Sequence, residues 1–154
     1  MMRTLLGVGL AICVGLVGAA SGDPVWTPSP PASPAPAAAD AQRAFDEGVR
    51  HMQAKRYREA GEAFQRAIQA RPDFAEAHSN LGFALRNTGR LDEAIGQYQE
   101  AIRLKPDLGE AYEYLGGAYL MKGDKQAALE QHRILERLNP RLAAELMEEI
   151  EKAR

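Results

Sequence analysis

The sequence predicts an all-α fold built from one helix pair used three times. Three observations carry that reading. Gly48, Gly82 and Gly116 step by 34 residues, and Pro72, Pro106 and Pro140 keep the same step. Alanine, leucine, glutamate, arginine and glutamine dominate after residue 40, a composition that favours helix. Aromatic residues make up only 6% of the chain, which is thin for a β-rich core. At 154 residues there is room for one modest domain and accessory segments.

The chain opens with MMRTLLGVGLAICVGLVGAA. Arg3 precedes an uncharged apolar run, Leu5–Ala20, that ends in Gly18-Ala19-Ala20. That layout is expected to be a secretory signal peptide over 1–20, cut near Ala20–Ser21. The alternative is retention as an N-terminal anchor, although the run is short for a span of about 20 residues. Leu10-Ala11-Ile12-Cys13 resembles a lipoprotein box, but Ile12 is too large before the cysteine and the apolar run continues past it. Cys13 is the one cysteine, so removal of the leader leaves no thiol for a disulfide or a cysteine metal site.

Residues 21–39 carry Pro24, Pro28, Pro30, Pro31, Pro34 and Pro36, with alanine and serine between them. Proline lacks an amide donor and biases its neighbour to extended backbone, so a Pro/Ala-rich disordered spacer is expected here. Trp26, the only tryptophan, lies in this stretch. It is either an incidental exposed aromatic or, with Val25, a segment that docks on the chain's own binding surface.

From Asp40 the texture changes. Ala60, Ala94 and Ala128 step by 34, as do Phe64, Tyr98 and His132. The central unit, 75–108, shows the logic most clearly. His78, Leu81, Gly82 and Leu85 share one face at helical spacing. Gly89 is a left-handed stop. Asp92 and Glu93 place negative charge at the start of the next helix, whose apolar face is Ala94, Ile95, Tyr98, Ala101, Ile102 and Leu104. Pro106 ends the unit. Asp107 with Glu110, and Asp73 with Glu76, have capping-box spacing. Gly82 and Ala94 are small enough for the two helices to approach closely. At the C-terminus Asn139 caps and Pro140 suits the first helical position. Leu142, Leu146 and Ile150 then form one narrow apolar stripe, with Glu145, Glu148, Glu149 and Lys152 outside it, as a capping helix over 139–153 requires.

These residues resemble the tetratricopeptide repeat, with its 34-residue length and W-x2-L-G-x2-Y…A-x3-F…P pattern. The units run 41–74, 75–108 and 109–142, within a domain over 40–154. The resemblance implies a right-handed α-solenoid of three helix-turn-helix units plus the capping helix. Departures exist. The tryptophan position holds Ala44, His78 and Tyr112, and the first copy has Glu47, His51 and Lys55 where leucine, tyrosine and the inter-helix glycine belong. In the third copy Leu135 replaces a small alanine.

The resemblance also implies a ligand groove on the concave face of the first helices. Mapped here it holds Gln42, Phe45, Val49 and Met52, then Glu76, Ser79, Phe83 and Arg86, then Glu110, Glu113, Gly117 and Leu120, with Asn80 and Asn87 beside it. Members that grip acidic tails use basic residues where this chain has Phe45, Glu110 and Tyr114. The expected ligand is therefore a protein or peptide segment with apolar anchors and a basic residue, extended or helical. The alternative is that Phe45, Val49 and Phe83 pack against neighbouring repeats or against a second copy.

Nothing in the sequence points to chemistry. There is no P-loop, no GxSxG and no HExxH. His51, His78 and His132 fall on motif positions expected to pack between helices. The net charge of −2 offers no electrostatic case for nucleic acid. The expected protein is non-catalytic and needs no cofactor or metal. It is an exported adaptor or assembly factor in the bacterial envelope that binds a protein partner through the groove, or else a self-associating scaffold; it meets a membrane only through an uncleaved leader.

Overall fold

The computed structural model describes residues 36–153. The expected leader, the spacer up to residue 35 and Trp26 lie outside the described residues. Seven α-helices follow one another: α1 (Pro36–Gln53), α2 (Tyr57–Ala70), α3 (Ala75–Asn87), α4 (Leu91–Leu104), α5 (Gly109–Met121), α6 (Lys125–Leu138) and α7 (Pro140–Lys152). Among the described residues there is no strand. Within each unit the two helices pack together, each second helix packs on the next first helix, and α7 closes the stack against α5 and α6. The architecture is an α-solenoid.

Helix α1 starts at Pro36, ahead of the boundary expected at residue 40. Proline needs no amide partner at the start of a helix, and three alanines follow it with the highest helix propensity. The tail of the Pro/Ala stretch therefore extends the first helix.

Each unit is held by a close approach over its glycine. A β-carbon on Gly48 would lie 2.6 Å from the Phe64 ring, and one on Gly82 would lie 2.7 Å from the Tyr98 ring. Phe64 and Tyr98 are fully buried as a result. The third unit departs from expectation. Leu146 of α7, not His132, fills the notch over Gly116, at 2.6 Å from where a β-carbon would stand, while His132 is half-buried. Leu146 is the apolar group available on that side, and a leucine fills a dry notch with no polar atom to satisfy. Leu135, where the earlier units have the buried Ala67 and Ala101, is also fully buried and packs in the cluster with Leu142 and Leu146.

The turns and caps are partly as expected. Gly89 and Gly123 have φ of 81°, and Lys55 takes their place in the first unit at φ 57°. Asn139 accepts from the Leu142 amide at 3.3 Å, with Pro140 behind it. The capping boxes expected from Asp73 and Asp107 do not form. Phe74 and Leu108 occupy the N-cap positions of α3 and α5 without a side-chain cap bond. Phe74 is buried and joins the core there, and the Glu76 carboxylate is engaged by Lys105 at 2.8 Å. A different tie secures these helix starts. His78 Nε2 lies 2.9 Å from the Pro72 carbonyl, and the Tyr112 hydroxyl donates to the Pro106 carbonyl at 3.0 Å. A carbonyl only accepts, so Nε2 of His78 carries the proton.

The notch geometry predicts opposite outcomes for two Gly→Ala substitutions. Gly82→Ala forces a methyl into the buried Tyr98 ring and should cost about 1–3 kcal/mol. Gly96→Ala, in α4 with open space around it, should stabilise by about 0.5–1 kcal/mol. Lys55→Gly should stabilise by about 0.5–1 kcal/mol, because the left-handed conformation costs a side-chain-bearing residue more than glycine. Urea unfolding monitored by circular dichroism measures all three.

Candidate binding groove

The first helices of the three units share an inner face, and a hollow of about 220 Å³ opens on it. It is lined by Phe45 from α1, by Glu76, Ser79 and Asn80 from α3, by Glu110 and Tyr114 from α5, and by Leu108. Five of the residues expected in a groove are thus brought together by three separate helices. Phe45 has a double role. Its ring centroid is 4.7 Å from that of Phe74 and 5.6 Å from that of Phe64, so it backs onto the core while lining the hollow. Ser79 is buried at the base. The Glu76 carboxylate is held below its ordinary range, first by the hydrogen bond from Lys105.

A second hollow, about 430 Å³, lies further along and is lined by Arg86, Asn87, Gly117, Met121 and Glu149. Asn87 donates to its own helix, to the Phe83 carbonyl at 2.8 Å. Between the hollows runs an aromatic line. Phe83 is 5.3 Å from Tyr114 and 6.2 Å from Tyr57, and Tyr114 is 6.0 Å from Tyr98, centroid to centroid. The Arg86 guanidinium carbon sits 5.1 Å from the Phe83 ring centre and 5.7 Å from that of Tyr114. Val49 and Met52 are partly buried against the central core cluster, and Leu120 against the cluster that α7 closes, so these three line neither hollow. Gln42 is exposed outside both.

Glu113 is half-buried, and its carboxyl is pushed above the ordinary carboxylate range. Burial is the main cause, then the carboxylates of Glu145 and Glu149 on α7; Arg86 opposes them and Glu110 adds to them. Burial also pushes the Tyr98 phenol well above its ordinary range. Tyr98 is fully buried and its hydroxyl finds no hydrogen-bond partner among the described residues. Its charged and titratable neighbours are Arg86, Tyr114 and Glu113.

Five contributors are not among the expected groove residues: Tyr114, expected only as standing where a basic clamp residue would, Leu108, Met121, Glu145 and Glu149. Tyr114 lies 34 residues after Asn80, so the repeat step itself is a signal that places it there. Leu108 belongs to a turn. Glu145 and Glu149 belong to the capping helix, whose angle to α5 no local pattern encodes. A third hollow, about 440 Å³, lies in the seam of α2 and α3. It exists because Gly61 stands where the later units carry Ile95 and Leu129. Among the described residues no group of three or more His, Cys, Asp or Glu is placed to hold a metal.

The tetratricopeptide-repeat family profile matches residues 45–109 and 84–141. The chain belongs to the tetratricopeptide-repeat family. The first such domain of Spaghetti (RPAP3), solved with HSP90 peptide SRMEEVD, is similar at 19% identity and a TM-score of 0.70, over 75% of this chain and 94% of that one. The TPR2B domain of yeast Sti1, solved in a pHsp70 complex, is similar at 23% identity and 0.70, over 75% and 99%. The crystal structure of MamA is similar at 28% identity and 0.59, over 73% of this chain and 61% of that one. No curated protein matches the sequence closely enough to stand as a relative.

The environment of Glu113 gives a pH dependence with a definite sign. Its folded-state pKa is raised, so the folded chain holds this proton when the unfolded chain has lost it. Stability therefore falls as pH rises from the ordinary carboxylate value through the folded one. Glu113→Gln should remove that fall. Its melting temperature should match the parent at acid pH and exceed it at neutral pH by roughly 1–3 °C, measured by thermal melts across the range.

Proposed function

We propose that this protein is an exported, non-catalytic adaptor or assembly factor that binds a peptide or helical segment of a bacterial envelope partner on the inner face of its solenoid. The observation that carries this reading is the hollow shared by α1, α3 and α5, walled by Phe45 and Tyr114 with Asn80 between them. An amide beside aromatic walls offers a hydrogen bond to a peptide backbone and a seat for an apolar side chain. The RPAP3 and Sti1 domains, similar in fold, are solved with HSP90 and pHsp70 ligands, which supports a peptide as the class of ligand. The residues here differ from a basic clamp. Phe45, Glu110 and Tyr114 present aromatic and acidic groups, which argues for apolar anchors rather than an acidic tail. Export rests on the apolar run Leu5–Ala20 with Arg3 before it and the Pro/Ala stretch after it.

A photo-crosslinking amino acid at Asn80, in the full chain expressed in its source cells, tests the reading. Asn80 should yield an adduct with an envelope protein, and the same probe at the exposed Gly96 on α4 should not. Replacing Phe83 and Arg86 with the fold intact should reduce that adduct at least several-fold. Equal adducts from both sites would remove the groove assignment. An adduct with a second copy of the chain would establish the scaffold instead, and light scattering would then show mass rising with concentration.

A further inference from the structure

We propose that the hollow between α2 and α3 is a second binding site, which takes a tyrosine of a partner protein together with a neighbouring carboxylate. One unit on, the molecule fills the same seam itself. Between α4 and α5, Ile95 and Tyr119 pack on the central core cluster. Gln99 donates from Nε2 to the Tyr119 hydroxyl at 3.3 Å, and Lys122 pairs with Asp92 across the seam. A step of 34 earlier, Ile95, Tyr119, Gln99, Lys122 and Asp92 become Gly61, Leu85, Gln65, Thr88 and Arg58. All five of these line the hollow of about 440 Å³. The α2–α3 seam thus keeps the amide donor but lacks the aliphatic side chain and the phenol, and it has a cation where the other seam has an ion pair.

The space has an apolar floor. A β-carbon on Gly61 would make ordinary contact, 3.7 Å from Leu81 Cδ1 and 3.8 Å from Ala84 Cβ. Leu81, Ala84 and Leu85 are buried beneath the hollow. Its volume falls within the range of sites that enclose a ligand, about 300–1,000 Å³. Charge complementarity names the polar part of the occupant. On the rim, Arg90 is held in a fork by Glu93 at 2.7 and 2.6 Å. Arg58 and Glu62 also line the rim, and neither has an ion-pair partner among the described residues. Glu62 stands in the place of Gly96, where a β-carbon would meet nothing. Arg58 stands in the place of Asp92, the residue that reaches across its own seam. A guanidinium at that bridging position selects a carboxylate, which it can grip with two N–H donors. Gln65, in the place of Gln99, offers its amide to a tyrosine hydroxyl. No residue lining this hollow lines either hollow of the inner face, so the site stands or falls apart from the groove reading.

The test is selection of random dodecapeptides displayed on phage against the full chain. Synthetic copies of the enriched peptides are then measured on three variants. Gly61→Leu places leucine where the third unit has Leu129, Arg58→Gln removes the cation, and Asn80→Trp obstructs the inner face. One enriched class should carry tyrosine beside aspartate or glutamate. Its affinity should fall about tenfold in Gly61→Leu and several-fold in Arg58→Gln, and hold in Asn80→Trp. Added salt should weaken its binding to the parent more than to Arg58→Gln. Gly61→Leu should melt at the parent's temperature or higher, because it fills space and replaces a helical glycine. The inference is overturned if no class is weakened by Gly61→Leu, or if the weakened class lacks the aromatic or the carboxylate. It is overturned equally if Arg58→Gln binds that class as the parent does. A Gly61→Leu chain melting well below the parent would show the seam already closed, with the same consequence. Peptides lost only in Asn80→Trp would support the inner groove and remove this second site.

Discussion

One missing β-carbon per unit sets the spacing on which the remaining structure depends. Over Gly48 and Gly82 the rings of Phe64 and Tyr98 lie where a side chain would otherwise stand. Those rings are the largest fully buried groups of the first two units, and their burial ties each second helix to its first. Burying a large ring stabilises by about 2–3 kcal/mol, the dominant local contribution in a stack whose other contacts are mostly alanine. The close approach also leaves the outer edges of α1, α3 and α5 free to make a common inner face. A groove exists because each pair is closed from behind.

The same constraint is met differently at the end of the stack. No fourth unit covers α5, so α7 supplies Leu146 to the Gly116 notch and Leu142 to the space beside Gly109. Leu135, too large for the earlier inter-unit contacts, fits because α7 replaces the next first helix. The cap is therefore more than a polar lid. In burying Leu142, Leu146 and Ile150 it also brings Glu145 and Glu149 towards Glu113. Apolar burial on one side of α7 places like charges together on the other, and a half-buried carboxyl absorbs the strain by holding its proton more tightly.

The inner face is graded as a consequence. Its first part is aromatic and backed by core, with Phe45 resting on Phe74 and Phe64. Its last part is acidic, with Arg86 stacked between Phe83 and Tyr114 as its cation. The repeat step generates equivalent positions, and the residues at those positions differ enough to give each end its own chemistry. Val49, Phe83 and Gly117 occupy one such series, running from aliphatic to aromatic to empty.

The periodic part of this protein was legible without coordinates. A step of 34 in glycine, proline, alanine and aromatic positions determined the helix pairs, and helical spacing with the glycine stop gave the left-handed turn at Gly89 and the buried stripe of α7, while five residues of the hollow followed from the family resemblance. Such features depend on spacing along one helix, which the chain carries in its own order. Other features depend on what lies across from a residue. Whether Asp73 caps or Phe74 takes its place turns on the core that Phe74 enters. Whether His132 or Leu146 fills a notch turns on which helix reaches it. The carboxylate corner and the unpartnered Tyr98 hydroxyl arise where α3, α4, α5 and α7 meet. Only the tertiary structure decided those, because distances between helices are set by packing volume and not by any repeat in the sequence.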